Sequence, residues 1–75
     1  MEIYKNLGGN SGVTGYEIEP ESITVKFYDG GIYLYTYQSA GKDNIEYMKT
    51  LAIAGRGLNS FISRIVKKMY ARKIK

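Results

Sequence analysis

The sequence lacks cysteine and histidine, has no tryptophan, and contains a single proline. Without cysteine no disulfide can reinforce the fold, and without both residue types the usual ligand sets for zinc are missing. Histidine and cysteine are also common bases and nucleophiles near neutral pH. We therefore expect no metal, no cofactor and no catalytic residue, which points to a binding protein and not to an enzyme.

Long apolar runs are absent as well. The longest aliphatic stretch covers only residues 51–54, and residues 1–6 lack the apolar centre of a signal peptide. A membrane-spanning helix needs about 20 consecutive apolar residues. The expectation is a cytoplasmic protein with no membrane partner.

The length of 75 residues allows one compact core. We predict a single domain, residues 1–75, in three parts. An N-terminal arm with a glycine-rich turn occupies residues 1–12, because residues 8–12 combine glycine with asparagine and serine. A β-meander over residues 13–37 and a two-helix layer over residues 43–72 follow it.

The meander is predicted from apolar residues that alternate with more polar ones at period two. Three segments have β-strand composition, residues 13–18, 22–28 and 31–37. Pro20 favours a turn after the first segment, and Gly30 favours a hairpin turn after the second. Each strand should therefore pair antiparallel with the next.

After Gly41 the hydrophobic period changes to that of a helix. Asp43 can cap a first helix over residues 43–55, and an apolar stripe predicts a second over residues 58–72. The predicted fold class is α+β, a three-stranded antiparallel β-meander followed by two α-helices packed on one face of the sheet. The predicted core comprises Ile23, Val25, Phe27, Met48, Leu51, Leu58, Phe61, Ile62, Ile65 and Met69.

The hairpin turn decides which side chains of the third strand face the core. With a two-residue turn Leu34 faces it, whereas a three-residue turn ending in a left-handed Gly30 brings Tyr33 and Tyr35 inward. An outward tyrosine stripe would offer a stacking platform for bases, and an inward one would pack the core. The residues alone leave both arrangements open.

Positive charge is concentrated at the C-terminal end of the chain. Residues 1–55 carry four lysines against seven acidic residues, a net charge of −3, whereas residues 56–75 carry seven basic residues and no acid. On the predicted second helix, a basic ridge would lie opposite the apolar stripe and would comprise Arg64, Lys67, Lys68, Arg72 and Lys75. Such a ridge attracts phosphate polyanions, although a solvated helix face is the simpler interpretation.

Several residues together resemble the KTSC domain, a short module found alone in bacterial and phage-like proteins and at the C-terminus of some lysyl-tRNA synthetases. The likeness covers residues 11–70 and rests on Ser11, Gly15, Tyr16, Ile23, Val25, Phe27, Gly30, Tyr33, Leu34, Tyr35, Gly55, Leu58, Asn59 and Ile62. Ser39, Ala40 and Gly41 stand where the family tends to have Val-Pro. The resemblance implies inward tyrosines, and the attachment to a tRNA enzyme suggests RNA as partner.

We therefore expect an RNA-binding module that uses a basic C-terminal helix. The candidate RNA-binding residues are Arg56, Arg64, Lys67, Lys68, Arg72 and Lys73. Tyr28 and Tyr37 are the candidate residues for stacking on bases. The alternative is a protein-interaction or structural module, which could self-associate as a homodimer, because a meander has two edges available for pairing.

Overall fold

The computed structural model of the protein describes residues 1–9 and 11–75. Within them the chain forms five strands and three helices, so the α+β class is confirmed but the predicted three strands and two helices are too few. The strands are β1 (Glu2–Ile3), β2 (Val13–Glu19), β3 (Ser22–Phe27), β4 (Ile32–Thr36) and β5 (Arg72–Lys73). The helices are α1 (Tyr37–Ala40), α2 (Lys42–Ala54) and α3 (Leu58–Phe61), and α3 continues as a π-helical turn, Ile62–Val66.

All strands pair antiparallel in chain order, so β1 and β5 form the two edges of one sheet. The predicted meander corresponds to the three central strands, β2 to β4. In the hairpin between β3 and β4 the amide of Gly30 donates to the carbonyl of Phe27 (2.9 Å), and Gly30 has a φ of 90°. The turn therefore has three residues, and the arrangement with a left-handed Gly30 is correct.

This turn brings Tyr35 into the core, where it pairs with Ile23 and is only 2% exposed. Tyr33 is half-buried on the same face. The buried residues are Tyr4, Val13, Ile23, Val25, Tyr35, Ala40, Ile45, Met48, Ala52, Leu58, Ile62 and Val66. Phe27, Leu51 and Phe61 pack against this core but are only partly buried.

The N-terminal arm contributes an edge strand and a buried side chain to the domain. Ile3 pairs with Gly15 in the sheet, and the next residue, Tyr4, is buried with an exposed fraction of 4%. The Tyr4 hydroxyl accepts a hydrogen bond from the amide of Leu58 (3.3 Å), which links the arm to the first residue of α3. A strand of two residues has no period that sequence analysis can detect.

The C-terminal helix ends much earlier than predicted, and this is the main correction to the fold. The π-helical turn stops at Val66, and Lys67 has a φ of 44°, which reverses the chain direction. The chain then returns to the sheet as β5, where Arg72 pairs with Leu34. Consequently Ile65 and Met69, predicted for the core, are each 47% exposed.

Helix α1 was missed because it has less than two turns. The Thr36 side chain accepts from the amide of Ser39 (3.1 Å), while the Ser39 hydroxyl accepts from the amide of Thr36 (3.0 Å), which together form a reciprocal cap. Helix α2 begins after Gly41 and ends at Ala54, and the left-handed Gly55, with a φ of 78°, caps it. In the described part of the chain, no helix has both the length and the apolar character that a membrane span requires.

Candidate nucleic-acid interface

A cleft of about 620 Å³ opens between the β3–β4 turn and the C-terminal end of the helix layer. Five aromatic side chains line it, and we call it the aromatic cleft: Phe27, Tyr28, Tyr33, Tyr35 and Tyr70. The ring centroids of Tyr33 and Tyr70 are 4.9 Å apart, and those of Phe27 and Tyr33 are 5.6 Å apart with nearly perpendicular rings. Phe27, Tyr33 and Tyr70 therefore pack against one another within the aromatic cleft.

The aromatic cleft follows directly from the register of the hairpin. Tyr33 and Tyr35 are two residues apart on β4, so both side chains project to the helix side of the sheet. Tyr70 lies in the segment that returns to the sheet, and its ring meets Tyr35 edge-on at 6.1 Å. Tyr28 lies at the rim and is 81% exposed, while its amide donates to the carbonyl of Gly12 (2.8 Å).

Two of the predicted RNA-binding residues, Lys67 and Lys68, line this cleft beside Tyr28. Both lysines are exposed. They lie at the chain reversal after the π-helical turn, where the positive φ of Lys67 stops the helix. Early termination of the helix therefore places both lysines in the lining of the aromatic cleft.

Lys73, in β5, also approaches Tyr33. It pairs with Tyr33 across the β4–β5 ladder, and its Nζ is 5.7 Å from the centroid of that ring, a cation–π distance. Lys73 and Lys75 line a neighbouring cleft of about 250 Å³, which shares Asp29 and Tyr33 with the aromatic cleft. Tyr33 and Asp29 thus line both clefts, and each cleft contains a pair of lysines.

The predicted arginines do not line the aromatic cleft. Arg56 lines a smaller cleft of about 170 Å³, which shares Asn59 with the aromatic cleft. Arg64 is exposed on the π-helical turn. Arg72 precedes Lys73 in β5 and therefore projects from the opposite face of the sheet. The predicted basic ridge of Arg64, Lys67, Lys68, Arg72 and Lys75 on one helix is therefore wrong, because Lys67 and Lys68 lie in a turn and Arg72 lies in a strand.

Tyr37, the second candidate for stacking, does not line the aromatic cleft. It begins α1 beyond the far end of β4, and its hydroxyl donates to Oε2 of Glu46 (2.6 Å). Lys49 donates to the same oxygen (2.9 Å). The hydrogen bond to Glu46 raises the pKa of Tyr37 to about 12, while the bonds from Lys49 and Tyr37 lower the pKa of Glu46. Tyr37 is thus held in a polar network between α1 and α2.

The aromatic cleft also contains groups that the sequence interpretation missed, namely Tyr70, Asp29 and Asn59. Tyr70 fell within the predicted helix, so its contact with the sheet was unforeseeable from periodicity. Burial raises the pKa of Tyr35 to about 12, and the neighbouring Tyr33 and Tyr70 add to this rise. The Tyr35 phenol is therefore neutral at physiological pH and can donate a hydrogen bond.

Comparison of the chain with protein-family models, with curated proteins and with solved structures finds no match in any of the three. The resemblance to the KTSC domain accordingly remains a prediction.

Proposed function

We propose that this protein is a small non-catalytic module that binds single-stranded RNA in the aromatic cleft. The observation that carries the proposal is that Lys67 and Lys68 line the same cleft as Tyr28, Tyr33 and Tyr70. Cations for the phosphate groups thus lie beside rings on which bases can stack. This combination is typical of proteins that bind single strands.

The two kinds of side chain supply different parts of the affinity. Lys67 and Lys68 are exposed, so they can approach phosphate oxygens and release the counterions of the strand. Tyr28 is 81% exposed, which leaves its ring free for contact with a base. Stacking of one base on an aromatic side chain contributes about 1 to 3 kcal/mol.

A single strand suits this cleft better than a duplex, because a duplex buries the faces of its bases against one another. The neighbouring lysines, Lys73 and Lys75, extend the positive surface beyond Tyr33. RNA is preferred to DNA on the strength of the KTSC resemblance alone, through the attachment of that family to a tRNA enzyme.

The test is the salt dependence of affinity for a fluorescently labelled single-stranded RNA, measured by anisotropy. Replacing Lys67 and Lys68 together by Glu should weaken binding by more than about tenfold at low salt, and each lost phosphate contact should lower the slope of log affinity against log salt by about 0.7. Lys26→Glu with Lys42→Glu is the matched control. It changes the net charge equally, but neither lysine lines the aromatic cleft.

Unchanged affinity in the Lys67/Lys68 variant would overturn the proposal. So would the absence of binding by the unaltered protein at a low salt concentration, about 50 mM, where electrostatic RNA binding is strong. Either result would favour the alternative, a protein-interaction or self-association module, which sedimentation analysis of the unaltered protein would then test.

A further inference from the structure

One carboxylate, that of Asp29, lines the aromatic cleft among its rings and lysines. It follows Tyr28 in the β3–β4 turn, and its Oδ1 accepts a hydrogen bond from the amide of Gly31 (2.8 Å). This bond directs Oδ1 toward the backbone of the turn. In the described part of the chain Asp29 forms no salt bridge with the surrounding lysines. Its carboxylate therefore remains available to a ligand.

A carboxylate is a hydrogen-bond acceptor with two oxygens, and it has nothing to donate. Among the four RNA bases only guanine presents two adjacent donors, N1–H and N2–H, on its Watson–Crick edge. Adenine and cytosine present one donor beside a ring-nitrogen acceptor, and uracil presents one donor between two carbonyl oxygens. Bases in single strands are commonly recognised through this edge while their faces stack on aromatic rings.

From this match we infer that the aromatic cleft selects guanine, with the Asp29 carboxylate accepting hydrogen bonds from N1–H and N2–H of the bound base. The inference rests on the proposed function and adds the identity of the base. The side-chain amide of Asn59, which also lines the aromatic cleft, carries both a donor and an acceptor and so does not favour one base by itself.

The surroundings of Asp29 explain how a carboxylate can lie in a site for a polyanion. Lys67 and Lys68 line the aromatic cleft, whereas Lys73 lines the neighbouring cleft, and Asp29 belongs to both. A base directed at Asp29 would therefore have the lysines of both clefts available for its two flanking phosphates. A free cationic ligand would also suit a carboxylate among aromatic rings, but these lysines would repel it.

Affinity for four single-stranded RNA oligomers that differ only in one central base tests the inference. The guanine oligomer should bind about tenfold more tightly than the others, since a bidentate contact discriminates by about 1 to 3 kcal/mol. In Asp29→Asn the guanine preference should disappear, while affinity for the other three oligomers is retained. Asparagine keeps an oxygen for the Gly31 amide but replaces one acceptor by a donor.

Equal affinity of the unaltered protein for all four oligomers would overturn the guanine inference and leave the proposed function standing. A guanine preference that persists in Asp29→Asn would overturn the role of Asp29. Absence of binding to every oligomer would overturn both proposals. If the variant does not fold, titration of the unaltered protein decides: guanosine monophosphate should shift the Asp29 side-chain carbonyl resonance and adenosine monophosphate should not, and equal shifts would overturn the inference.

Discussion

At the scale of single residues, Gly30 shows how one backbone dihedral positions the aromatic cleft. Its φ of 90° closes the three-residue turn, and that turn determines that Tyr33 and Tyr35 face the helices. A Cβ at Gly30 would meet no heavy atom within 4 Å, so a substitution there is opposed by backbone strain alone. The sequence indicated the glycine but left the turn length open, because both lengths are compatible with an Asp-Gly-Gly segment.

Gly30→Ala should lower the free energy of unfolding by about 1 to 2 kcal/mol, the cost of a left-handed conformation for an L-residue. Urea denaturation measures this directly. Gly8→Ala is the matched control, since Gly8 also has open space around a Cβ position and does not have a positive φ. Equal stability of the two variants would show that the turn does not require a left-handed residue.

At the scale of elements, the sequence predicted the central strands and α2 but failed at both ends of the chain. Strands β2 to β4 and helix α2 are long enough for their hydrophobic period to be visible. β1 and β5 have two residues each, and their positions depend on pairing with distant parts of the chain. Apolar residues continued at helical spacing past Val66 and suggested a longer helix, although Tyr70 instead packs on the rings of β4.

The candidate site could be predicted only in part for the same reason, because its assembly depends on contacts between distant parts of the chain. Tyr28, Lys67 and Lys68 were identified from the sequence because exposed aromatic and basic residues suit phosphate and base contacts. Their proximity to Tyr33 and Tyr70 depends on where the helix stops and on the return of the chain to the sheet. No local pattern encodes that return.

Truncation of the chain after Tyr70 should lower the free energy of unfolding by about 2 kcal/mol, because several backbone hydrogen bonds are lost at roughly 0.5 to 1.5 kcal/mol each. They include the bond from Ala71 N to Leu34 O (2.7 Å) and that from Ile74 N to Ile32 O (2.7 Å). The truncated chain would also expose the edge of β4, which favours self-association. Thermal unfolding and sedimentation measure the two effects.

The control for this truncation replaces Arg72, Lys73 and Lys75 by Ser in the full-length chain. It removes the same three charges but keeps the backbone that pairs with β4. If the control had the same low free energy of unfolding as the truncated chain, the loss of stability would come from the missing charges and not from the missing pairing of β5 with β4.

At the scale of the whole molecule, the two ends of the sheet carry opposite charges. β3 extends from Ser22 to Phe27, about 20 Å at the usual rise of a strand. At its start lie the acidic residues of the β2–β3 turn, Glu19 and Glu21, and at its end lies the aromatic cleft with its lysines. A polyanion approaching the molecule would therefore be attracted to the cleft end.

The stability of the whole molecule should decrease at alkaline pH. No histidine or cysteine side chain is present to titrate near neutrality. Tyr35 has a pKa raised to about 12 by burial, whereas an unperturbed tyrosine ionises near a pKa of about 10. Between these values the unfolded chain binds fewer protons than the folded one, so the free energy of unfolding must fall as pH rises.

We therefore expect the urea midpoint to decline across the range from about pH 10 to pH 12, with Tyr35 as a major contributor. Tyr35→Phe removes the phenol while keeping the buried ring, so it should make the decline shallower. Tyr28→Phe is the control, because Tyr28 is 81% exposed and its phenol is not held away from water. If the urea midpoint of Tyr35→Phe fell with pH as steeply as that of the unaltered protein, other groups would cause the alkaline loss of stability. Tyr37, whose hydroxyl is bonded to Glu46, would be the next group to test.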